Sequence, residues 1–466
     1  ESMKYRFIKI TAGLFIWTLL AGSIGISNTA MAKNVILIIG DGMDDHQITI
    51  ARNYLVGSRG KLLLDQLPMR SAVQVLTVDE KNPQRALYVA DSANSATSMA
   101  TGVVTSPGRI GTTAGSDQDV INLVELSQRQ GIKVGLVTTS SITDATPASF
   151  YAHVSERGCE NPNAMVEYEK YAGIIVDCSQ DLKANEGLGS ISEQLVKSGV
   201  DVALGGGMKH FTAAMEGSNI SVLTEAVNQG YKVVTQMDEL KGQHGGKLLG
   251  LFSPSTMPVR WQGQGGRKAE NPETSFMNIF HPMLGSVIYP EPMRCEDNPD
   301  YGDMPSLALM SETALAELTT DGTKSFFLMI ESASIDKQAH ERKACGSIGE
   351  LQQLDEVLAV ALNFANSHPE TLILVTADHG HAAQVLPERT IYEALDVPIH
   401  SPGQVARIKT PEGAIMTVNY ATNNFVSEEH TGVNVPLLSN SNGVGRIPAM
   451  LTQPEIFTIV KDYLFD

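Results

Sequence analysis

The stretch VILIIGDGM, residues 35–43, decides the fold. Val35 to Ile39 are all apolar, without the polar alternation of a strand that has one wet face. Such a run suits a strand buried on both sides, as in a parallel sheet. It ends on Gly40-Asp41-Gly42, so Asp41 leaves a buried strand on a glycine-flanked turn. In an open α/β sheet, sites gather beyond the carboxyl ends of the strands.

Working outward, similar short apolar runs recur at 134–138, 201–204, 232–235, 325–330 and 371–376. Helix-like stretches lie between them at 120–130, 191–197, 307–318 and 348–366. Strand–helix alternation on this scale predicts an α/β fold: a doubly wound, mostly parallel central sheet with helices on both faces and loop insertions. Residues 414–420 and the segment after His430 are expected to add edge strands. Residues 262–293, rich in Gly, Pro and aromatics without a clear period, read as an insertion. No Pro- or Ser-rich linker divides the chain, so 33–466 is expected to form a single domain.

The run YVADSANSATSMATG at 88–102 starts extended, then turns helix-compatible until Gly102 supplies a stop. Ser92 is therefore expected in the first turn of a helix, where unpaired N–H groups and the helix dipole favour an anion. Polar clusters also follow three of the buried runs. Asp41 leaves the first, and Ala377-Asp378-His379-Gly380-His381 follows another. Glu331, Asp336 and His340 follow the run at 325–330, with Asp336 and His340 four apart on one helix face. Glu428-Glu429-His430-Thr431-Gly432 forms a fourth cluster. Carboxylate with imidazole is a zinc ligand set, whereas all-oxygen sets suit magnesium. Each cluster alone has an ordinary reading as a turn or a solvated face. Four ordinary readings must hold together to dismiss the site.

The chain carries 34 Lys and Arg against 52 Asp and Glu, a formal net charge of −18. That excludes a basic footprint for nucleic acid. It also repels anionic substrates at long range, so a phosphate site needs concentrated local positive charge, which metal ions would supply. Lys4, Arg6 and Lys9, an apolar stretch over 10–26, and Ala30-Met31-Ala32 make a signal peptide with cleavage after Ala32. An uncleaved anchor is the alternative, of marginal length. Cleavage removes three basic residues and Glu1, moving the net charge from −18 to −20. The mature chain is expected in the periplasm or the medium, with no membrane partner. For four cysteines in an exported chain, the sequential pairing Cys159–Cys178 and Cys295–Cys345 closes the shortest loops of the three possible pairings.

Seven motifs then occur in order: IIGDGM (38–43), VADSANSAT (89–97), DATPA (144–148), AHVSERGC (152–159), ESASIDKQAH (331–340), TADHGH (376–381) and EEHTG (428–432). Together they resemble the bacterial periplasmic alkaline phosphatases over nearly all of the chain after residue 32. The resemblance implies hydrolysis of small phosphate monoesters through a phosphoserine, with two zinc ions and one magnesium ion. It makes Ser92 the nucleophile and Arg157 the guanidinium that grips phosphate. It assigns one zinc to Asp336, His340 and His430, and the second to Asp41, Asp378 and His379. Magnesium falls to Asp41, Thr146 and Glu331, while Asp144, Lys337 and His381 orient ligands or water. It implies the same cysteine pairing and a homodimer, although only Lys33 and Asn34 precede the first strand where relatives often carry a longer arm. Asn94 departs from the family pattern, which has a smaller residue there, and puts the helix start in question. Residues 262–293 exceed the family core and are expected to cover part of the site or the dimer face.

The sequence fits two other classes less well. A sulfatase needs a C/S-x-P-x-R context, which the sequence lacks, and phosphodiesterases of this kind usually lack the gripping arginine and the third metal. A secreted phosphate- or zinc-binding protein without turnover would be favoured by loss of Ser92 or Arg157, and both are present.

Overall fold

Residues 35–39 form the centre of strand β1 (Asn34–Gly40), buried along its whole length. The computed structural model describes residues 32–171, 174–242, 245–281, 284–322, 324–388 and 402–466. Apart from Ala32, the expected signal peptide lies outside the described residues.

Around β1 the chain adds β2 (Met69–Gln74), β3 (Lys133–Ser141), β4 (Val202–Gly206), β5 (Tyr231–Val234) and β6 (Lys247–Leu251). Then come β7 (Phe326–Ser332), β8 (Thr371–Ala377), β9 (Val435–Ser439) and β10 (Met450–Thr452). The ten strands form one sheet in the order β10-β2-β9-β8-β1-β7-β3-β4-β6-β5. Only β9 runs antiparallel to its neighbours. The parallel α/β sheet read from the apolar runs is therefore the observed one.

The helices are α1 (Asp45–Leu55), α2 (Ser92–Thr101), α3 (Leu123–Arg129), α4 (Ala145–Ala148) and α5 (Ile191–Lys197). They continue with α6 (Val222–Asn228), α7 (Leu307–Leu318), α8 (Ser334–His340), α9 (Ala344–Ser367) and α10 (Gln453–Phe465). α1, α7 and α8 pack on α9, while α2 packs against α4 and α10, so the sheet is layered between helices. The side chains of β1, β7 and β8 face these layers, and Val35, Ile36, Leu37, Ile38 and Ile39 are all 0 % exposed. Each such side chain contributes about 1.5–3 kcal/mol by burial. The strand ends are therefore a rigid mount for polar groups.

Two edge expectations are corrected. Residues 415–420 form a strand, but it pairs with Gln384–Leu386 and Gln404–Lys409 in a separate three-stranded sheet. Its alternating sequence IMTVNY covers a second apolar cluster that includes Ile50, Ala339, Ile348 and Met416. The segment after His430 does enter the central sheet as β9, between β2 and β8 rather than at an edge. Pro436 argues against an interior strand because it cannot donate to a ladder. It is tolerated because it lies beyond the last β8 rung, Thr376 with Leu437, and its carbonyl accepts the Thr376 hydroxyl at 2.8 Å.

The disulfides are Cys159–Cys178 and Cys295–Cys345, as the loop sizes suggest. Sequence separations of 19 and 50 correspond to about 3 and about 4 kcal/mol on the chain-entropy model. The second ties the expected insertion to the start of α9. At the base of that insertion Trp261–Gly263 pair with Cys295–Asp297, just beyond its end, and within it Glu273–Thr274 pair with Val287–Ile288. Residues Gln262, Gly263 and Arg267 share the wall of a cavity of about 430 Å³ with Lys337 and Gln338 of α8.

Candidate active site

β1 places Ile39 opposite Glu331 on one side and Thr376 on the other. Three neighbouring strands thus end level, and Asp41, Asp378 and the turn into α8 emerge side by side. Gly42 makes the first turn possible: it has φ of 67°, and its N–H donates to Asp378 Oδ1 at 3.0 Å. A Cβ there would strain the backbone and come within 3.1 Å of the Asp336 Cβ. Gly42→Ala is expected to lower stability by about 1 kcal/mol or more and to weaken metal binding, read by thermal melting with and without zinc. Unchanged melting and binding would show that this turn does not set the Asp336 position.

Ser92 does open a helix. Asp91 caps α2, its Oδ1 accepting the Asn94 N–H at 3.0 Å while Asn94 Oδ1 accepts the Asp91 N–H at 2.9 Å. The residue that put the helix start in question is half of a capping box. Its Nδ2 also donates to the Leu76 carbonyl at 3.0 Å, which a smaller residue could not do. Ser92 is 3 % exposed, with its Oγ 3.0 Å from His379 Nε2 and 3.4 Å from Asp41 Oδ1.

Ring protonation follows from the partners. His340 Nδ1 faces the Glu428 carbonyl, His379 Nδ1 the Gly380 carbonyl and His430 Nδ1 the Ala90 carbonyl. Carbonyls only accept, so these rings carry their proton on Nδ1 and turn a bare Nε2 toward the cluster. His340 and His430 present those atoms to each other at 3.0 Å, where two lone pairs repel unless a cation is shared. His381 is the reverse: its Nδ1 accepts the Ala382 N–H at 2.8 Å. Its Nε2 therefore carries the proton and lies 3.2 Å from Asp336 Oδ1, close but without hydrogen-bond alignment.

Asp336 is the hub. Its Oδ1 lies 3.2 Å from His430 Nε2, and its Oδ2 3.4 Å from His340 Nε2. Burial would raise its pKa, but the surrounding imidazoles when protonated, His340 first, pull it well below the usual carboxylate range. Asp41 is pushed far the other way, by burial and then by Asp336, Asp378 and Glu331. Burial likewise pushes Glu331 up to about 7, although Thr138 donates to its Oε2 at 2.5 Å.

Among the described residues, two groups have ligand atoms all within 4.8 Å of one another: Asp336, His340, His381 and His430, and Asp41, Asp378 and His379. Asp336 Oδ1, Asp378 Oδ2 and the Thr146 Oγ1 of α4 are buried without a hydrogen-bond partner. Crowded carboxylates, bare imidazole nitrogens and orphaned oxygens together fit divalent cations, because nothing else nearby satisfies them. His381 differs from the other two imidazoles of its group in turning a protonated Nε2 toward Asp336.

Arg157 stands at the capped start of Ser92's helix. Its Nη1 lies 3.3 Å from Asp91 Oδ2 and its Nη2 3.1 Å from Asp144 Oδ1. Lys337 Nζ meets the other Asp144 oxygen at 2.6 Å. Burial alone would raise Asp144, but Lys337 and then Arg157 hold it well below the usual range. Asp144 thus aligns two cations whose outer faces stay available.

Sequence reasoning missed other residues that hold this geometry. Asp44, 1 % exposed, caps α1 and accepts the His381 N–H at 3.1 Å. Its place before a helix is a signal that was there to read. Gln453, from the far end of the chain, donates to the Asp378 carbonyl at 2.7 Å, with no local sequence signal.

Comparison with known proteins identifies the family. The alkaline phosphatase family model matches residues 32–460. The chain is 37 % identical to streptomycin-6-phosphate phosphatase of Streptomyces griseus over 93 % of this chain and 91 % of that protein. It is 36 % identical to alkaline phosphatase H of Pseudomonas aeruginosa (strain UCBPP-PA14), over 92 % and 84 %. In three dimensions it resembles the alkaline phosphatase from the Antarctic bacterium TAB5, with a TM-score of 0.66 at 22 % identity, covering 93 % of this chain and 98 % of that one. That likeness carries the fold alone. No helix among the described residues is long and apolar enough to cross a membrane. With a family match from residue 32 to residue 460 and relatives this similar over nine-tenths of its length, the chain belongs to the alkaline phosphatase family, enzymes that hydrolyse phosphate monoesters.

Proposed function

We propose that the enzyme transfers the phosphoryl group to Ser92 and then to water. The observation that carries this is the Ser92 Oγ, held at a helix start beside His379 and Asp41, with Arg157 paired to Asp91, the cap of that helix. Asp336, His340 and His430 would hold one zinc ion, and Asp41, Asp378 and His379 a second. Asp41, Thr146 and Glu331 would hold magnesium, their all-oxygen donors suiting the harder cation. When bound, these cations lower the pKa of hydroxyl groups beside them and offset phosphate charge.

The chain's own residues do the rest. Ser92 Oγ attacks phosphorus in line, forming an O–P bond as the bond to the alcohol oxygen breaks. Arg157, its planar fork held by Asp91 and Asp144, takes two non-bridging oxygens. The N–H groups at the start of α2 face the same oxygens, where transition-state charge resides. Water then attacks the phosphoserine from the vacated side and returns the hydroxyl of Ser92. Lys337 fixes Asp144, and the His381 ring lies against Asp336 Oδ1 at 3.2 Å. Residues 262–267 would screen the Lys337 side of the site. The mature protein would act as a homodimer in the periplasm, which sedimentation and fractionation test.

The fork and the three-cation ligand set favour a monoester, whose dianion carries three terminal oxygens, over a diester. 4-Nitrophenyl phosphate is expected to be hydrolysed at least about 1,000-fold faster than its bis-ester, a difference of about 4 kcal/mol. Equal rates would point to a phosphodiesterase, and zinc binding without cleavage of either to a binding protein.

A further inference from the structure

His340 and His430 reach one cluster from segments 90 residues apart, and something must keep those segments in register. α8 ends at His340, and the chain then folds back through Arg342, which has φ of 60° and donates its N–H to the Ala339 carbonyl at 3.0 Å. The turn aims a guanidinium into protein: Arg342 is 1 % exposed. Its Nε donates to Glu428 Oε2 at 2.6 Å, and its Nη2 lies 3.3 Å from both the carbonyl and the side-chain oxygen of Asn423. Glu428 is as deeply buried. Its Oε1 accepts the N–H groups of Thr422 and Asn423 at 2.7 and 3.2 Å, and the Thr422 hydroxyl. The backbone closes the same seam, Glu428 N–H donating to the His340 carbonyl at 2.9 Å.

Stability alone does not explain such a pair. Taking two ions out of water offsets most of their attraction, and an apolar pair of similar volume often does as well or better. A buried pair with its partners saturated does have one geometry, and any slip of either segment leaves a charge exposed to apolar surroundings. His430 follows Glu428 by two residues, and His340 precedes Arg342 by two. A shift in the pair is therefore a shift in the facing Nε2 atoms.

We propose that Arg342 and Glu428 are positioning residues. They clamp the 422–430 loop to the end of α8, so that His340, His430 and Asp336 form a preformed cation site. The inference rests on the zinc reading above. None of the contacts just described involves Asp41, Asp378 or His379, so the second cluster serves as an internal control.

The test titrates zinc alone into metal-free protein against a chromogenic chelator, alongside melting of the same protein without metal. In the double variant Arg342→Met/Glu428→Met, melting is expected to stay at or above wild type. One zinc-binding step is expected to weaken about 10–100-fold while the other is retained. Arg342→Lys, which keeps the charge but not the fork, should recover part of the loss. Should the double variant fail to fold, Thr422→Ala removes one part-buried contact to Glu428 and is expected to weaken the same single step several-fold. Wild-type affinity at both steps in a folded variant would overturn the proposal, as would equal weakening of both steps. Wild-type protein that binds no zinc would overturn the zinc reading itself, a result distinct from equal binding by wild type and variant.

Discussion

Ser92→Ala is expected to lower kcat by roughly three orders of magnitude or more, at least about 4 kcal/mol of transition-state stabilisation, while zinc content holds. The separation of the two readouts follows from the geometry. The proposed zinc ligands come from strand ends and from α8, and their carboxylates and imidazoles remain when one hydroxyl is deleted. The nucleophilic oxygen does not, and among the described residues no other hydroxyl is hydrogen-bonded to His379 Nε2. Acid quenching of the wild-type reaction should yield a phosphorylated peptide containing Ser92, and the variant should yield none. Undiminished turnover in the variant would remove the covalent step.

The second large effect concerns Asp41, whose charge burial and three neighbouring carboxylates disfavour. Such crowding makes sense in a site built for cations and is a burden without them. Asp41→Asn removes the repulsion but keeps the shape. Without metal, the variant is expected to melt at or above the wild-type temperature. With zinc at about 1,000 times the dissociation constant, wild type gains about 4 kcal/mol through linkage, and the variant much less. Turnover is expected to fall by about 1,000-fold, since Asp41 also lies 3.4 Å from the Ser92 Oγ. A metal-free variant that melts well below wild type would mean that Asp41 supports the fold instead.

Much of this site was legible because parallel sheets announce themselves. Runs such as 35–39 and 371–376 are apolar throughout, and the polar residue that ends each run marks the strand's carboxyl end. The strands missed were those without such a run. Met69–Gln74 is half polar and half-exposed, and Lys247–Leu251 is interrupted by Gly250, whose missing Cβ admits Leu204 and Phe252. Pro436 hid β9. The different ring protonation of His381 could not be read from spacing, because it depends on which ring nitrogen accepts a backbone N–H. Arg342 and Glu428 are 86 residues apart and carry no local pattern, so only the fold brings them together.

The claim beneath all of this is that divalent cations give an acidic protein both its hold on phosphate and a reactive Ser92. It is tested most directly by adding zinc stepwise to metal-free protein, with magnesium in excess, while following bound zinc and 4-nitrophenyl phosphate turnover together. The account predicts negligible turnover in metal-free protein and full turnover only as the second zinc per chain binds. Full turnover by metal-free protein, or turnover indifferent to bound zinc, would contradict it.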